Sequence, residues 1–252
     1  MRIAALSDIH GNLPALEAVL ADIAALGADV TVNLGDIASG PLWPCETTDR
    51  LVALALPTIA GNHERQVLGG PIERMGASDA FAAARLTTPQ RAWLAALPPT
   101  HWLIDDVLLC HGTPTSDLEY WLETVTLGTS RGIRAADAAE VRARASGFDL
   151  RGATLVLCGH SHVPRAVHLD ERLLVVNPGS VGLQAYDATT PQEHVVEVGS
   201  PHARYALIER ARIGWHVTQR AVAYDWQTSA VRAEAGGRAE WARALRTGRV
   251  IA

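Results

Sequence analysis

Five short segments carry residues of metal-ligand type: Asp8-x-His10, Gly35-Asp36, Gly61-Asn62-His63-Glu64, His111-Gly112 and Gly159-His160-x-His162. Asp8 and Asp36 offer carboxylates, Asn62 an amide oxygen, and the histidines several imidazoles, with no thiolate in the set. Mixed oxygen and nitrogen donors of this kind suit manganese, iron, zinc, cobalt or nickel. The set is too large for one tetrahedral ion and large enough for two ions that share a carboxylate. Two ions about 3.5–4 Å apart can hold a hydroxide between them and clamp the oxygens of a phosphate. Taken singly, each residue has an ordinary explanation, since a Gly-Asp pair is often a turn and a lone histidine is often a hydrogen-bonded filler. The ordered set is what points to chemistry.

The elements around these segments are of the kind that could bring them together. Apolar runs at residues 3–6, 29–34, 57–60, 107–110 and 154–158 read as strands, and each ends in one of the five segments. Between the first two lies a helical pattern over 13–26, with Asn12 as its cap, Pro14 in its first turn and Gly27 as its stop. A second helix is expected over about 46–56. Strands alternating with helices imply βαβ units and a parallel sheet. In open α/β sheets, sites form beyond the carboxyl ends of the strands, so residues spread from position 8 to position 162 could converge. The adjacent glycines let backbone turn sharply and approach a ligand.

Further along, short Ala-rich helices are expected over 79–86 and 89–97, the second capped by Thr88. Residues 115–150 form a Thr-, Arg- and Ala-rich excursion with one helix over about 135–146. Residues 173–176 precede Asn177-Pro178-Gly179-Ser180, a turn signature. An antiparallel pair is expected at 205–208 and 215–222, and two helices over 225–246. With no repeat, low-complexity linker or composition break, the expectation is a single domain over 1–252. It has helical excursions near 64–100 and 115–150 and a helical C-terminal tail.

Composition excludes several classes. At 252 residues, with 48% apolar and 19% charged, the chain is ordinary globular material, neither disordered nor collagen-like. All 22 basic residues are arginine; against 27 acidic ones the net charge is −5, which argues against a nucleic-acid clamp or a polybasic membrane binder. Three cysteines make no disulfide framework and suggest a reducing compartment. There is no apolar run of membrane-spanning length. The N-terminal strand, interrupted by Ser7-Asp8, does not read as a signal peptide. The expectation is a cytoplasmic protein, with a homo-oligomer left open.

Together the five segments resemble the calcineurin-like metallophosphoesterase signature, all parts in order and each after a strand, over residues 1 to about 182. The opening Ile-Ala-Ala-Leu-Ser-Asp-Ile-His-Gly-Asn-Leu-Pro-Ala-Leu most resembles the small bacterial and archaeal phosphodiesterase branch. The resemblance implies an α/β fold, a four-layer αββα sandwich of two mixed β-sheets flanked by helices. It implies two divalent transition-metal ions, manganese first and iron, zinc, cobalt or nickel as alternatives. Asp8, His10 and His162 would hold one ion, Asn62, His111 and His160 the other, and Asp36 would bridge them. The implied reaction is hydrolysis of phosphodiester or small phosphomonoester bonds by in-line attack of a metal-bridging hydroxide. His63 matches the histidine that stabilises the transition state or protonates the leaving oxygen. Two ions against the two aspartates leave about +2 locally, which attracts a phosphate.

The departures narrow the substrate. Relatives that act on phosphoproteins or dinucleoside tetraphosphates carry Arg-Gly shortly after Gly-Asp, and here Gly40 occupies the arginine position. Some members of the small phosphodiesterase branch lack the His63 equivalent, which this chain has. Arg65 and Arg165 flank ligand segments and could bind substrate phosphate or form surface salt bridges. Trp43 could wall a nucleoside or aryl group or pack a loop. Glu64 reads as a helix-start carboxylate, and Cys110 and Cys158 as apolar strand filler. A small phosphorylated substrate is expected, and the charge disfavours long nucleic acid. Other readings are a non-enzymatic scaffold with a retained metal site, and a nuclease or dinucleoside polyphosphate hydrolase using the same site.

Overall fold

In β1 (Arg2–Leu6), Ile3 and Ala5 enter one apolar cluster while Ala4 and Leu6 enter another. This alternation follows from the two-residue period of a strand, and here both faces of the sheet are covered. A computed structural model describes residues 1–126, 132–150 and 152–250. After β1 the chain runs through α1 (Leu13–Leu26), β2 (Val30–Asn33), α2 (Pro44–Leu54), α3 (Asn62–Leu68), α4 (Ala77–Ala83) and α5 (Thr88–Ala95). Then come β3 (Thr100–Ile104), β4 (Val107–Cys110), β5 (Glu123–Val125), β6 (Ile133–Ala135), α6 (Ala138–Arg144) and β7 (Leu155–Leu157). The last part holds β8 (Arg165–His168), β9 (Leu174–Asn177), β10 (Ala185–Ala188), β11 (His194–Glu197), β12 (Ala203–Arg210), β13 (Trp215–Val222), α7 (Trp226–Ala235) and α8 (Ala239–Thr247).

Two mixed sheets, ordered β13-β12-β1-β2 and β3-β4-β7-β9-β8, form the centre. Strands β1 and β2 are parallel, as are β4, β7 and β9, while β12 and β13 run antiparallel. The sheets face each other across one cluster: Ile3, Ala5 and Val32 from the first meet Val107, Leu109, Leu155 and Leu157 from the second. On the outer face of the first sheet, Ala4 and Leu6 pack against Leu16 and Val19 of α1, Leu51 of α2 and Leu94 of α5. On the outer face of the second, Leu108, Cys110, Val156 and Cys158 pack under Val141 of α6 and under Trp121, just before β5. The layers are therefore helix, sheet, sheet, helix. Each fully buried Leu or Ile contributes about 1.5–3 kcal/mol over leaving it exposed. Cys110 and Cys158 belong to this core, and burial pushes both thiols up, so they act as small apolar filler. No helix among the described residues is long and apolar enough to cross a membrane.

Local rules explain the ends of several elements. Asn12 Oδ1 accepts from the Ala15 N–H, and Pro14 sits in the first turn of α1. The cap of α5 is Thr87, not Thr88: it exchanges hydrogen bonds with Gln90 in a capping box. The strand expected at 57–60 is reduced to one bridge between Asn33 and Thr58, because the segment turns at once into α3. The excursion over 115–150 holds a hairpin, β5–β6, and a shorter helix than expected, capped by Asp137; its residues 127–131 lie outside those described. Strands β3, β8, β10 and β11 were not expected. They are short and carry exposed or half-exposed positions, so they lack a buried-strand pattern.

Candidate metal centre

The turns that leave β1, β2, β4 and β7 are stitched to one another by backbone hydrogen bonds. The amides of Asp8, His10 and Gly11 donate to the carbonyls of Gly35, Asp36 and Ile37 at 3.0, 3.0 and 2.8 Å, and Gly159 donates to His111. Within this web, Asp8, His10, Asp36, His160 and His162 all adopt left-handed backbone, with φ between 52° and 67°. Among the described residues, Ala55 is the other non-glycine residue with positive φ. That conformation costs of order 1–2 kcal/mol per residue, and such positions cluster at functional sites. At Gly61 a Cβ would stand 2.3 Å from Asp36 Oδ1, so only glycine lets α3 start this close to the carboxylate.

The side chains converge on two groups. Asp8, His10 and His162 form one, and Asp36, His111 and His160 the other; within each, one ligand atom per residue lies within 4.8 Å of the others. The groups adjoin. His111 Nε2 is 3.1 Å from Asp36 Oδ2 and 3.9 Å from Asp8 Oδ1, and it lies 3.2 Å from Asn62 Oδ1. His10 and His162 bring their Nε2 atoms to 3.1 Å. The opposite ring nitrogens are fixed by carbonyls: Nδ1 of His10 donates to Ser39, of His111 to Leu34 and of His162 to Leu183, at 2.9, 2.7 and 2.7 Å. His160 is turned the other way, donating through Nε2 to Leu118. Such partners fix the outward nitrogen as the N–H donor and aim the other ring nitrogen into the site.

Electrostatics favour a cation at this point. Burial would raise Asp8, but His162 and His111 outweigh it and lower the carboxyl to about 2. Asp36 is likewise pulled well below the usual range by His111 and His63, against burial. Burial and the neighbouring imidazoles push His10 and His160 down to about 4, so both are neutral lone-pair donors at pH 7. Burial alone would lower His111, but Asp36 and Asp8 raise it to about 10. Asp8 Oδ1 is buried without a hydrogen-bond partner among the described residues. A buried, ionised, unpartnered oxygen is costly, and facing imidazole lone pairs gain nothing from each other. A bound cation relieves both, so the donor set fits divalent metal.

Two residues around the centre surpass their sequence signals. Glu64 is buried, and its carboxylate accepts from the amides of Gly61, Asp36 and Ile37 at 2.7, 2.8 and 2.8 Å. It therefore ties the Asp36 turn to the start of α3, beyond any effect on the helix dipole. Asp79 of α4, which no motif marks, accepts from His63 Nδ1 at 2.7 Å. Burial would lower His63, but Asp36 and Asp79 raise it to about 9.

Two cavities flank the centre. One, of about 360 Å³, is lined by His10, Asp36, Ser39, His63, Ser78 and residues of β10 and α8. The other, of about 820 Å³, is lined by Asn62, His63, Gln66, Tyr120 and Glu123 among others. His63, His160, Tyr186 and Asp187 line both. Asp8, His10, Asp36, Asn62, His63, His111, His160 and His162 are thus brought together, whereas Arg65, Arg165 and Trp43 are not. Arg65 is exposed and forms a fork with Asp117, Arg165 pairs with buried Glu123, and Trp43 packs beneath the Arg232 guanidinium. None of the three lines either cavity. The rings that do are Tyr186, 4.6 Å from His162, and Trp241, 6.1 Å from His10. Both lie in segments with no ligand spacing to announce them.

A family model described as the calcineurin-like phosphoesterase superfamily domain matches residues 1–199. A metallophosphoesterase from Sphaerobacter thermophilus superposes with a TM-score of 0.74 at 24% identity, over 99% of this chain and 100% of that one. A hypothetical protein from Pyrococcus horikoshii OT3 gives 0.75 at 19% identity, over 99% of each chain. At these identities the likeness concerns the fold. An uncharacterized protein of Methanocaldococcus jannaschii is 43% identical over 67 residues, which is 27% of this chain and 28% of that relative. With the family model covering most of the chain, the chain belongs to the calcineurin-like phosphoesterase superfamily, as a metal-dependent hydrolase of phosphoric esters.

Proposed function

We propose that the protein hydrolyses small phosphodiesters at a two-metal centre, with His63 as proton donor to the leaving oxygen. Asp8, His10 and His162 would hold one ion, Asn62, His111 and His160 the other, with Asp36 between them. Divalent ions, when bound, supply Lewis acidity toward a phosphoryl oxygen and make a nucleophile from water near neutral pH. The observation that carries the diester reading is the pair of cavities meeting at His63 and His160. A diester has two substituents, and each cavity offers one of them a place while the phosphorus lies at the junction.

The chain's own residues prepare the rest. The carbonyls of Ser39, Leu34 and Leu183 lock the rings of His10, His111 and His162, so little reorganisation is needed when a phosphate arrives. His63 donates its Nδ1 proton to Asp79, whose charge favours the protonated ring, so Nε2 is the nitrogen free to release a proton. That proton matters most when the leaving group is a poorly stabilised alkoxide, and general acid catalysis contributes about 10²–10⁴-fold.

A metal-by-substrate screen tests this reading. Chelated protein is reconstituted with manganese, iron, zinc, cobalt or nickel, manganese first. Each form is assayed on bis(p-nitrophenyl) phosphate and p-nitrophenyl phosphate. The expected result is no turnover without metal and at least about tenfold higher kcat/KM for the diester. Turnover that survives complete metal removal overturns the mechanism, and a monoester preference overturns the diester assignment.

A further inference from the structure

The smaller cavity has a wall that the ligand segments do not supply. It comes from α8 and the residue before it: Arg238, Glu240, Trp241 and Ala244 line the cavity opposite His10 and His63. These residues lie beyond the 1–199 stretch that the family model matches. The wall is fixed from two sides. Below it, α7 and α8 share an apolar cluster with Leu42, Leu183 and Ala185. Above it, the Trp241 indole lies directly over the backbone of Gly40. A Cβ there would stand 2.8 Å from Trp241 Cη2 and 2.6 Å from the His10 carbonyl oxygen, and φ at Gly40 is +150°. The Arg238 guanidinium bonds Ser78 Oγ at 3.2 Å, one residue from the Asp79 that holds His63.

We propose that Trp241, Arg238 and Ser39 form a specificity site that receives an uncharged, nucleoside-type substituent of the phosphodiester. The proposal rests on the phosphodiesterase reading above and names the substituent. An indole and a guanidinium are the groups on which a planar heteroaromatic ring stacks. The Arg238–Glu240 pair presents donors beside acceptors, which suits the polar edge of a base. Ser39 is 1% exposed, lines the cavity, and its Oγ has no hydrogen-bond partner among the described residues. A sugar hydroxyl would satisfy it, and an unpaired buried hydroxyl costs free energy. The wall itself sets one guanidinium against the carboxylates of Glu240 and Asp187, so away from the ligand groups it favours an uncharged substituent over a further phosphate. Size excludes a polymer, because about 360 Å³ lies at the small end of ligand sites.

The test compares thymidine 5′-(p-nitrophenyl phosphate) with methyl p-nitrophenyl phosphate, which share the leaving group and differ in the other substituent. In the metal-loaded wild type, the nucleoside diester should have at least about tenfold higher kcat/KM. Arg238→Gln and Trp241→Leu should collapse that ratio by about ten- to a hundredfold, mostly through KM, since stacking one base is worth that much. Ser39→Ala should lower it severalfold. Circular dichroism and metal content check that each variant is folded and loaded. Thymidine binding, measured by calorimetry, gives a readout independent of turnover and should weaken in step. A wild-type ratio near one with robust methyl ester hydrolysis overturns the specificity site and leaves the phosphodiesterase reading standing. Equal losses on both diesters also overturn it, because they mean a structural role. No hydrolysis of any diester by two-metal protein overturns the phosphodiesterase reading itself, and absence of thymidine binding then removes the site as well.

Discussion

The rim that gathers the ligands and the helical arm that closes the smaller cavity are built on opposite principles. At the rim, function outweighs local comfort: five residues with side chains sit in left-handed backbone, the carboxylates of Asp8, Asp36 and Glu64 are buried, and the rings of His10, His111, His160 and His162 are each pinned by a carbonyl. The arm is locally comfortable. α7 and α8 bury Ala230, Ala233, Ala242 and Leu245 against each other and the chain beneath them, with an Asp225 cap at the start of α7 and a left-handed Gly248 at the end of α8. The rim must hold charge at fixed positions, so it requires particular residues at particular places. The arm must only present a surface, so many sequences would serve. Chemistry should therefore be brittle at the rim, and selectivity should be adjustable in the arm.

The largest expected effect breaks the rim. Asp36→Asn removes the carboxylate of the second ligand group, the one proposed to bridge the two ions. Changes to groups that only orient ligands cost about 10–100-fold in metal affinity, so loss of this ligand should exceed that range for both ions. Elemental analysis after dialysis checks it, and retention of two tightly held ions would contradict the bridging role. Next comes the arm. Leu245 is fully buried, so Leu245→Ala should cost about 2–5 kcal/mol of stability. Metal content should survive, while KM for the nucleoside diester rises more than KM for the methyl diester. Equal loss of metal would mean that the two regions are one cooperative unit and would erase the contrast. Smaller still is Asp79→Asn, which leaves all ligands in place but deprives His63 of its charged partner. It should lower kcat about 10–100-fold, a fraction of the range for general acid catalysis, and shift the basic limb of the pH–rate profile to lower pH. That direction follows because Asp79 helps to raise His63.

What could be read from the sequence divides along the same line. Asp8, His10, Asp36, His111, His160 and His162 announce themselves as candidate ligands because metal chemistry permits few residue types, and each follows an apolar strand within three residues of a glycine. The four layers follow from alternation: Leu108 and Leu109, neighbours in sequence, face different cores. Asp79 was not legible, because an acidic residue in the first turn of a short helix is commonplace and only the folded chain places it 2.7 Å from His63. Trp241 was not legible either. Its role depends on Gly40, two hundred positions away, leaving room for an indole. Trp43 had the better sequence argument, being close after Asp36, yet proximity in sequence carried it beneath Arg232 instead. Arg65 and Arg165 show the same limit: flanking a ligand segment fixes a residue's neighbourhood but not its partner, and nearby carboxylates took both.

The smallest effect sharpens the contrast at the entrance to the arm. Asp225 caps α7, accepting from the Thr228 N–H at 3.1 Å and from its hydroxyl at 2.7 Å. Those hydrogen bonds lower its carboxyl pKa. A depressed folded-state pKa means that the ionised form favours folding. The contribution is complete above the ordinary carboxyl pKa and is lost as pH falls through the lowered one. Asp225→Ala should therefore lower Tm by only a few degrees at neutral pH, and the gap to wild type should close in strong acid. Thermal scans across pH check the sign: a gap that widens in acid would mean that the neutral carboxyl makes the cap. The same variant should keep both ions and most of its turnover, because among the described residues the Asp225 carboxylate bonds only within its own helix start, while the tie from α7 to the rim runs through Ser229 and Asn12. A fall in metal content with so small a change in Tm would place the boundary between the two regions elsewhere in the chain.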